Sequence, residues 1–123
     1  MALQVKVAGT SELRRRLSAL PANARAEVTK AIDKSGAEVA SMAAALAPVD
    51  QGDLKASITH QMADDGLSAK VGSNEVHATF AEFGTKERPA QPFLFPSYRA
   101  LKKRITGRIG RAVKKAATMA GVR

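Results

Sequence analysis

The sequence predicts an α+β domain in which a small antiparallel sheet packs on one long helix. Short runs of alternating apolar and polar residues, at 3–7 and 54–62, are typical of half-buried strands. Apolar residues at three- and four-residue steps over 22–47 and 97–120 indicate two long helices. A chain of 123 residues is the length of one domain, so we expect these elements to share one core.

The N-terminal elements are a strand and a short helix. In the run LQVKV at 3–7, Leu3, Val5 and Val7 fall on one side, as in a strand with one buried face. The following segment, SELRRRLSAL at 11–20, has Glu12 where an acidic side chain stabilises a helix N-terminus. Pro21 then separates this helix from the next.

The second helix, predicted over 22–47, is the longest element before the C-terminal segment. Its alanines and Gly36 allow another backbone to come close. Pro48 ends it, because the residue before a proline avoids the helical conformation.

A hairpin follows the long helix. The strand at 54–62 and the returning strand at 67–71 flank Asp65-Gly66, a dipeptide typical of tight hairpin turns. The spacing of Val76, Phe80 and Phe83 then predicts a short helix over 76–83.

The loop at 84–96 is rich in proline and phenylalanine. All five aromatic residues lie in or beside it, and so do three of the five prolines. We expect a core at 1–97, which includes this loop, and a basic helix at 98–123 of the same domain.

The net charge of +9 is concentrated at one end of the chain. Residues 1–97 contain eleven Lys/Arg and eleven Asp/Glu, whereas 98–123 contain nine Lys/Arg and no acid. A segment of this kind indicates an acidic partner or nucleic acid.

The residue inventory argues against catalysis and metal binding. No cysteine is present, which excludes disulfides and thiolate chemistry. His60 falls on the apolar face of its strand, where we expect it to find a backbone partner, and Asp64 and Asp65 are ordinary turn residues. We therefore expect no catalytic residue, no metal site and no cofactor. The longest apolar run is also far too short to cross a membrane.

Two separated motifs, APVDQGDLKASI at 47–58 and EFGT at 82–85 followed by PF..P at 92–96, occur in this order. Together with the start of the chain they resemble the neck family of long-tailed double-stranded DNA phages, also called head–tail joining or tail-completion proteins. The residues that carry the resemblance are Gly9, Leu13, Leu17, Ala47, Pro48, Val49, Gly52, Leu54, Ser57, Ile58, Val71, Gly72, Glu82, Phe83, Gly84, Thr85, Pro92, Phe93 and Pro96.

The resemblance implies a structural virion protein rather than an enzyme. It would join capsid and tail at the neck of a phage, or of a phage-derived particle, assembled in the host cytoplasm. The implied partners are further copies of the chain in a ring, with six as the candidate number, and the adjoining connector and tail-terminator proteins.

Two sets of residues are then candidates for contacts. The family motif and subunit contact set is Pro48, Gly52, Leu54, Glu82, Phe83, Gly84, Thr85, Pro92, Phe93, Phe95 and Pro96. The basic partner-binding face is Lys102, Arg104, Arg108, Arg111 and Lys115.

Within the loop, prolines lower the entropy lost on fixing its shape, and Phe93 and Phe95 offer apolar area to a neighbour. The alternative is that these rings pack under their own domain. Glu82 is placed to accept hydrogen bonds from the loop's own amides or to pair with Arg88, and Gly84 to adopt a backbone angle that other residues avoid.

The basic segment leaves two partners open. An acidic surface on an adjoining protein is slightly favoured, since a channel that grips every phosphate would slow the DNA it must release; packaged DNA is the other. A small nucleic-acid-binding protein that uses the basic helix is the alternative function.

Overall fold

Five helices and three strands make up the described part of the chain. The computed structural model describes residues 3–7, 11–48, 52–75, 77–87 and 89–121. In chain order the elements are β1 (Leu3–Val7), α1 (Ser11–Ser18), α2 (Ala22–Leu46), α3 (Gly52–Ser57), β2 (Thr59–Met62), β3 (Ala69–Ser73), α4 (His77–Phe83) and α5 (Leu94–Met119). None of the described helices is long and apolar enough to cross a membrane.

The strands form one antiparallel sheet in the order β1-β3-β2. The N-terminal strand pairs with the returning strand of the hairpin, so that Val5 lies opposite Val71. Along β3, Ala69 and Val71 are buried, whereas Lys70 between them faces solvent. This is the predicted sheet, the N-terminal strand plus the hairpin, and the predicted α+β class is confirmed.

Helix α2 lies close against the inner face of the sheet. A Cβ atom added at Gly36 would stand 3.0 Å from His60 Cδ2 and 3.3 Å from Ala69 Cβ, so only glycine allows this approach without displacement of a neighbour. The close neighbour expected at Gly36 is therefore the sheet of the same chain.

Helix α5 packs antiparallel along another side of α2. Lys115 near its C-terminal end reaches Glu27 in the first half of α2, and Arg104 reaches Glu38 in the second half. The two helices contribute apolar side chains to both core clusters. Val39, Ala43, Leu94, Leu101 and Ile105 belong to one cluster, and Val28, Ile32 and Ala116 belong to the other.

The predicted strand at 54–62 is wrong over its first half, because residues 52–57 form α3. Leu54 and Ile58 are four residues apart, which is also one helical turn, and both are buried. In a strand Ala56 would share their face, yet it is exposed. The Ser57 hydroxyl donates to the Leu54 carbonyl oxygen at 2.7 Å, which closes the turn before β2 begins.

The C-terminal helix begins at Leu94, earlier than predicted, so that the last residues of the predicted loop belong to α5. The sequence predicts Pro96 in the loop, but it lies in the first turn of the helix, where a proline removes no intrahelical hydrogen bond. The short helix predicted over 76–83 is present as α4.

His60 is half-buried and packs beside Gly36, but its partner is not a backbone group. Its Nε2 lies 2.8 Å from Oδ1 of Asp33, an exposed carboxylate on α2. The expectation of a backbone partner is wrong, because among the described residues the side chain of Asp33 on α2 is the partner of His60 on β2.

At the hairpin turn, Gly66 has φ 71° and Asp65 accepts a hydrogen bond from the Leu67 N–H at 3.1 Å, as expected of turn residues. Asp65 also accepts two hydrogen bonds from the Arg14 guanidinium. Nε donates to Oδ2 at 2.6 Å, and Nη2 donates to Oδ1 at 2.9 Å. This bidentate pair fastens the hairpin to α1.

Hydrogen bonds from Arg14 and from the Leu67 N–H hold the pKa of Asp65 below its ordinary value. The pair therefore stabilises the fold above the unfolded pKa of about 3.9, and this contribution is lost as pH falls through the lower folded pKa. We expect Asp65→Asn to lower the urea midpoint at pH 7 and to differ less from the wild type at pH 3. Asp64→Asn, one residue away, is the control and should leave the midpoint unchanged at pH 7. An equal loss at both pH values would contradict the assignment.

Candidate functional site

Glu82 holds the start of α5 to the end of α4. Its carboxylate is buried and accepts hydrogen bonds from three successive backbone amides. Oε1 receives the Phe93 N–H at 3.1 Å and the Leu94 N–H at 2.8 Å, and Oε2 receives the Phe95 N–H at 3.3 Å. The first amides of a helix lack intrahelical acceptors and attract negative charge, so a carboxylate suits this position. We call this arrangement the Glu82 clamp.

Of the two partners considered for Glu82, the loop's own amides are therefore confirmed. Arg88, the other, lies outside the described residues, as do Gly9 and Val49 of the family pattern.

The segment from Gly84 to Pro92, here called the loop, is fastened at both ends. Gly84 N–H donates to the Phe80 carbonyl oxygen at 2.7 Å, and Gln91 N–H donates to the Ala81 carbonyl oxygen at 2.7 Å. Gly84 has φ 80°, the left-handed conformation expected for it. Between these ends the described residues from Thr85 to Pro92 are exposed.

Phe93 does not present its ring to a neighbour. Its exposed fraction is 0%, and it belongs to the core cluster formed with α2, α3 and α4. The expectation that this ring supplies contact area is wrong, because the Glu82 clamp turns the backbone at Phe93 into the domain. Leu54 and Leu94 are buried in the same cluster, which makes the Leu54 of the family motif a core residue.

The exposed aromatic groups lie on α4 instead. Phe80 is 51% exposed and Phe83 is 62% exposed, and one helical turn separates them. The ring of Phe83 lies 6.0 Å from that of half-buried Phe95, in a tilted arrangement that is favourable for aromatic pairs. We call Phe80, Phe83 and Phe95 the aromatic surface. It adjoins both ends of the loop.

Sequence reasoning singled out Phe83 and Phe95 but missed Phe80 as a surface residue. The three-residue step between Phe80 and Phe83 was available as a signal, since it places both rings on one side of a helix. Ala78 and Glu82, four residues apart, lie on the opposite side of α4, and both are buried.

The other motif residues have local structural roles. Pro48 is half-buried after the end of α2, and Gly52 is the first residue of α3. The Thr85 hydroxyl accepts a hydrogen bond from the Glu87 N–H at 3.3 Å, which is a turn within the loop. Pro92 is exposed and precedes the clamp.

The cations of α5 fall into two groups. Arg108 is only 14% exposed along its side chain and lies 3.1 Å from both Ser35 Oγ and Glu38 Oε1. Arg104 lies 3.6 Å from Glu38 Oε2, and Lys115 lies 3.3 Å from Glu27 Oε2. Each of these three cations is therefore paired with one of two acids of α2, Glu27 or Glu38.

The predicted basic face is thus divided by the structure. Arg104, Arg108 and Lys115 pair with acids of α2, although only Arg108 is largely buried. Lys102 and Arg111 are exposed, and no ion pair joins them to another described residue. The acids that pair with this seam, Glu27 and Glu38, are eleven residues apart, which is about three helical turns, so they share one face of α2. That spacing was the sequence signal for the pairing.

Comparison with known proteins finds one family. A model with the description "Bacteriophage HK97-gp10, putative tail-component" matches residues 11–84. The matched range runs from α1 to the end of α4 and stops where the loop begins. No curated protein and no solved structure matches the chain.

Proposed function

The chain belongs to the HK97-gp10-like family of phage tail components, and from this premise we propose that it is a structural protein of the head–tail connector. In this role it completes the tail at the neck and joins it to the capsid, in a phage or a phage-derived particle. The proposed location is the virion neck. The part played by each subunit is to present fixed surfaces to its neighbours, without catalysis or a cofactor.

The observation that carries the proposal is the aromatic surface beside the fastened loop. Exposed aromatic rings in a cluster are unusual on a monomer and typical of the central residues of protein interfaces. Phe80 and Phe83 lie on a helix whose end is fixed by the Glu82 clamp, so little conformational freedom is lost when a partner covers them.

The proposed partners are further copies of the chain in a ring, with six as the candidate number, and the adjoining connector and tail-terminator proteins. A head-to-tail contact between unlike surfaces of identical subunits closes into a ring when the rotation allows it. The aromatic surface and the exposed loop are the surfaces proposed for these contacts. Thr85 and Pro92 are exposed on the loop and belong to the proposed contact set, whereas buried Phe93 supports the loop from inside.

We expect Phe83→Ser to abolish joining while the domain stays folded. The exposed ring contributes little to the free energy of unfolding, so stability should change by about 1 kcal/mol or less. Mixing heads and tails from infected-cell extracts should then give at least tenfold fewer joined particles than the wild type. Met119→Ser, which removes an exposed apolar side chain at the other end of α5, is the matched control and should join normally.

Two results would count against the proposal at different levels. Normal joining by the folded Phe83→Ser protein would show that the aromatic surface is not a contact. Normal joining in extracts that lack the protein altogether would show that the connector role itself is wrong. The position of the gene between capsid and tail genes is the independent check of that role.

A further inference from the structure

Most of the unpaired positive charge of α5 lies on one face, and it is smaller than the sequence indicates. Residues 98–123 contain nine Lys/Arg, but three of these pair with the acids of α2. Five others, Arg99, Lys102, Lys103, Arg111 and Lys114, are exposed, and no ion pair joins them to another described residue. By helical position Arg111 falls beside the seam residues Arg104 and Lys115, whereas Arg99, Lys102, Lys103 and Lys114 share the side of the helix next to it. We call these four residues the outer face of α5.

Two of the exposed residues among these cations are small. Thr106 and Gly110 are exposed between Lys103 and Lys114, and a Cβ added at Gly110 would meet nothing within 4 Å. The outer face therefore contains no large apolar side chain.

These features distinguish between the two classes of acidic partner, an acidic protein surface and a nucleic acid. The central part of a protein interface is enriched in aromatic residues and depleted of lysine, and it needs apolar area to cover. The outer face has three lysines and no such area, while the aromatic surface provides it elsewhere. Contacts to a nucleic-acid backbone, in contrast, require only cations and small hydrogen-bonding groups.

We propose that the outer face of α5 binds the phosphate backbone of double-stranded DNA without reading its sequence. Arg99 and Lys114 are fifteen residues apart, so the face is about 22 Å long. The duplex carries one charge per roughly 1.7 Å of its axis, so the face meets more phosphates than it can neutralise.

The small number of free cations makes the contact reversible. Four phosphate contacts give a salt slope of about −3.6, which corresponds to a loss of about a hundredfold in affinity between 50 and 200 mM salt. Such a contact can hold DNA near the helix and still release it. A channel that presented nine unpaired cations would slow the DNA that it must release. This objection is weaker for the structure, because the seam cations are already paired with acids of α2.

This inference goes beyond the connector role and does not depend on it, because DNA binding is measured on the isolated protein. The test is fluorescence anisotropy with two unrelated 30-base-pair duplexes in a salt series. The outer-face variant is Arg99→Gln, Lys102→Gln, Lys103→Gln and Lys114→Gln together. The matched control is Lys34→Gln, Lys55→Gln, Lys70→Gln and Lys86→Gln, which removes four exposed lysines elsewhere. Each variant lowers the net charge from +9 by four, to +5.

The wild type and the control should bind both duplexes equally well, and the outer-face variant at least tenfold more weakly at 50 mM salt, with a salt slope shallower by about 3. Circular dichroism should show unchanged helix content in all three proteins. Equal weakening in both variants would show that only the net charge matters, and would overturn the proposal. Polyglutamate that displaces DNA at equal charge concentration would identify an acidic protein as the partner instead, with the same consequence.

Discussion

Phe93→Ala is expected to lower the free energy of unfolding by about 4 kcal/mol, whereas Phe83→Ala should lower it by about 1 kcal/mol or less. Both changes remove the same group from residues ten positions apart. Phe93 is fully buried among side chains of α2, α3 and α4, so its removal opens a cavity that the surrounding helices cannot fill. Phe83→Ala removes the contact with the Phe95 ring from a side chain that is already 62% exposed.

Urea denaturation followed by far-UV circular dichroism measures both changes. The pair also separates the two roles assigned to phenylalanine in this chain, since Phe93 supports the fold and Phe83 faces a partner. Similar losses at the two positions would contradict this division. So would a Phe93→Ala protein with the stability of the wild type, which would show that the Phe93 ring is outside the core.

Glu82→Gln is expected to lower the free energy of unfolding by about 2–3 kcal/mol although it changes only one atom of the side chain. The substitution replaces one carboxylate oxygen by an amino group and removes the negative charge at the start of α5. At least one of the amides of Phe93, Leu94 and Phe95 then loses its acceptor in a buried or half-buried place. A charge-assisted hydrogen bond lost in this way is worth more than a neutral one.

Hydrogen exchange localises the effect of Glu82→Gln. The three amides of the Glu82 clamp should exchange faster, together with the Gln91 amide that fastens the loop. Glu87→Gln is the matched control, because Glu87 lies on the exposed loop, and its stability should stay within about 0.5 kcal/mol of the wild type. Unchanged exchange at Leu94 in the Glu82 variant would show that the carboxylate does not hold the helix.

Periodicity predicted the elements whose burial follows one repeat. The alternation at 3–7 and at 67–71, and the long apolar stripe of α2, correspond to the observed β1, β3 and α2. At 54–58 the two-residue repeat of a strand and the turn of a helix give the same pattern, because Leu54 and Ile58 fall on one side in either structure. Tertiary packing favours the helix. Proline at 96 marked a loop in the sequence, although it is equally suited to a first helical turn.

The candidate site was predictable where a local rule decides it. Gly84 and Glu82 follow from turn chemistry and from the needs of a helix N-terminus, and both have the conformation or partners expected of them. The direction of a ring and the pairing of a cation depend on which elements meet in space. Burial of Phe93 requires α2, α3 and α4 to surround it, and pairing of Arg108 with Glu38 joins residues seventy positions apart.

The packing of α2 on α5 has a consequence for the order in which the protein is made. These two helices share the core, yet the hairpin, α4 and the loop lie between them in the chain. A ribosome therefore releases α2 well before α5, and the apolar stripe of α2 stays uncovered on one side until the C-terminal helix emerges. Contacts between segments so distant in sequence also slow folding, because the intervening chain must close first. Slow translation near the loop would prolong exposure of this stripe, and transiently exposed apolar surface is prone to aggregation.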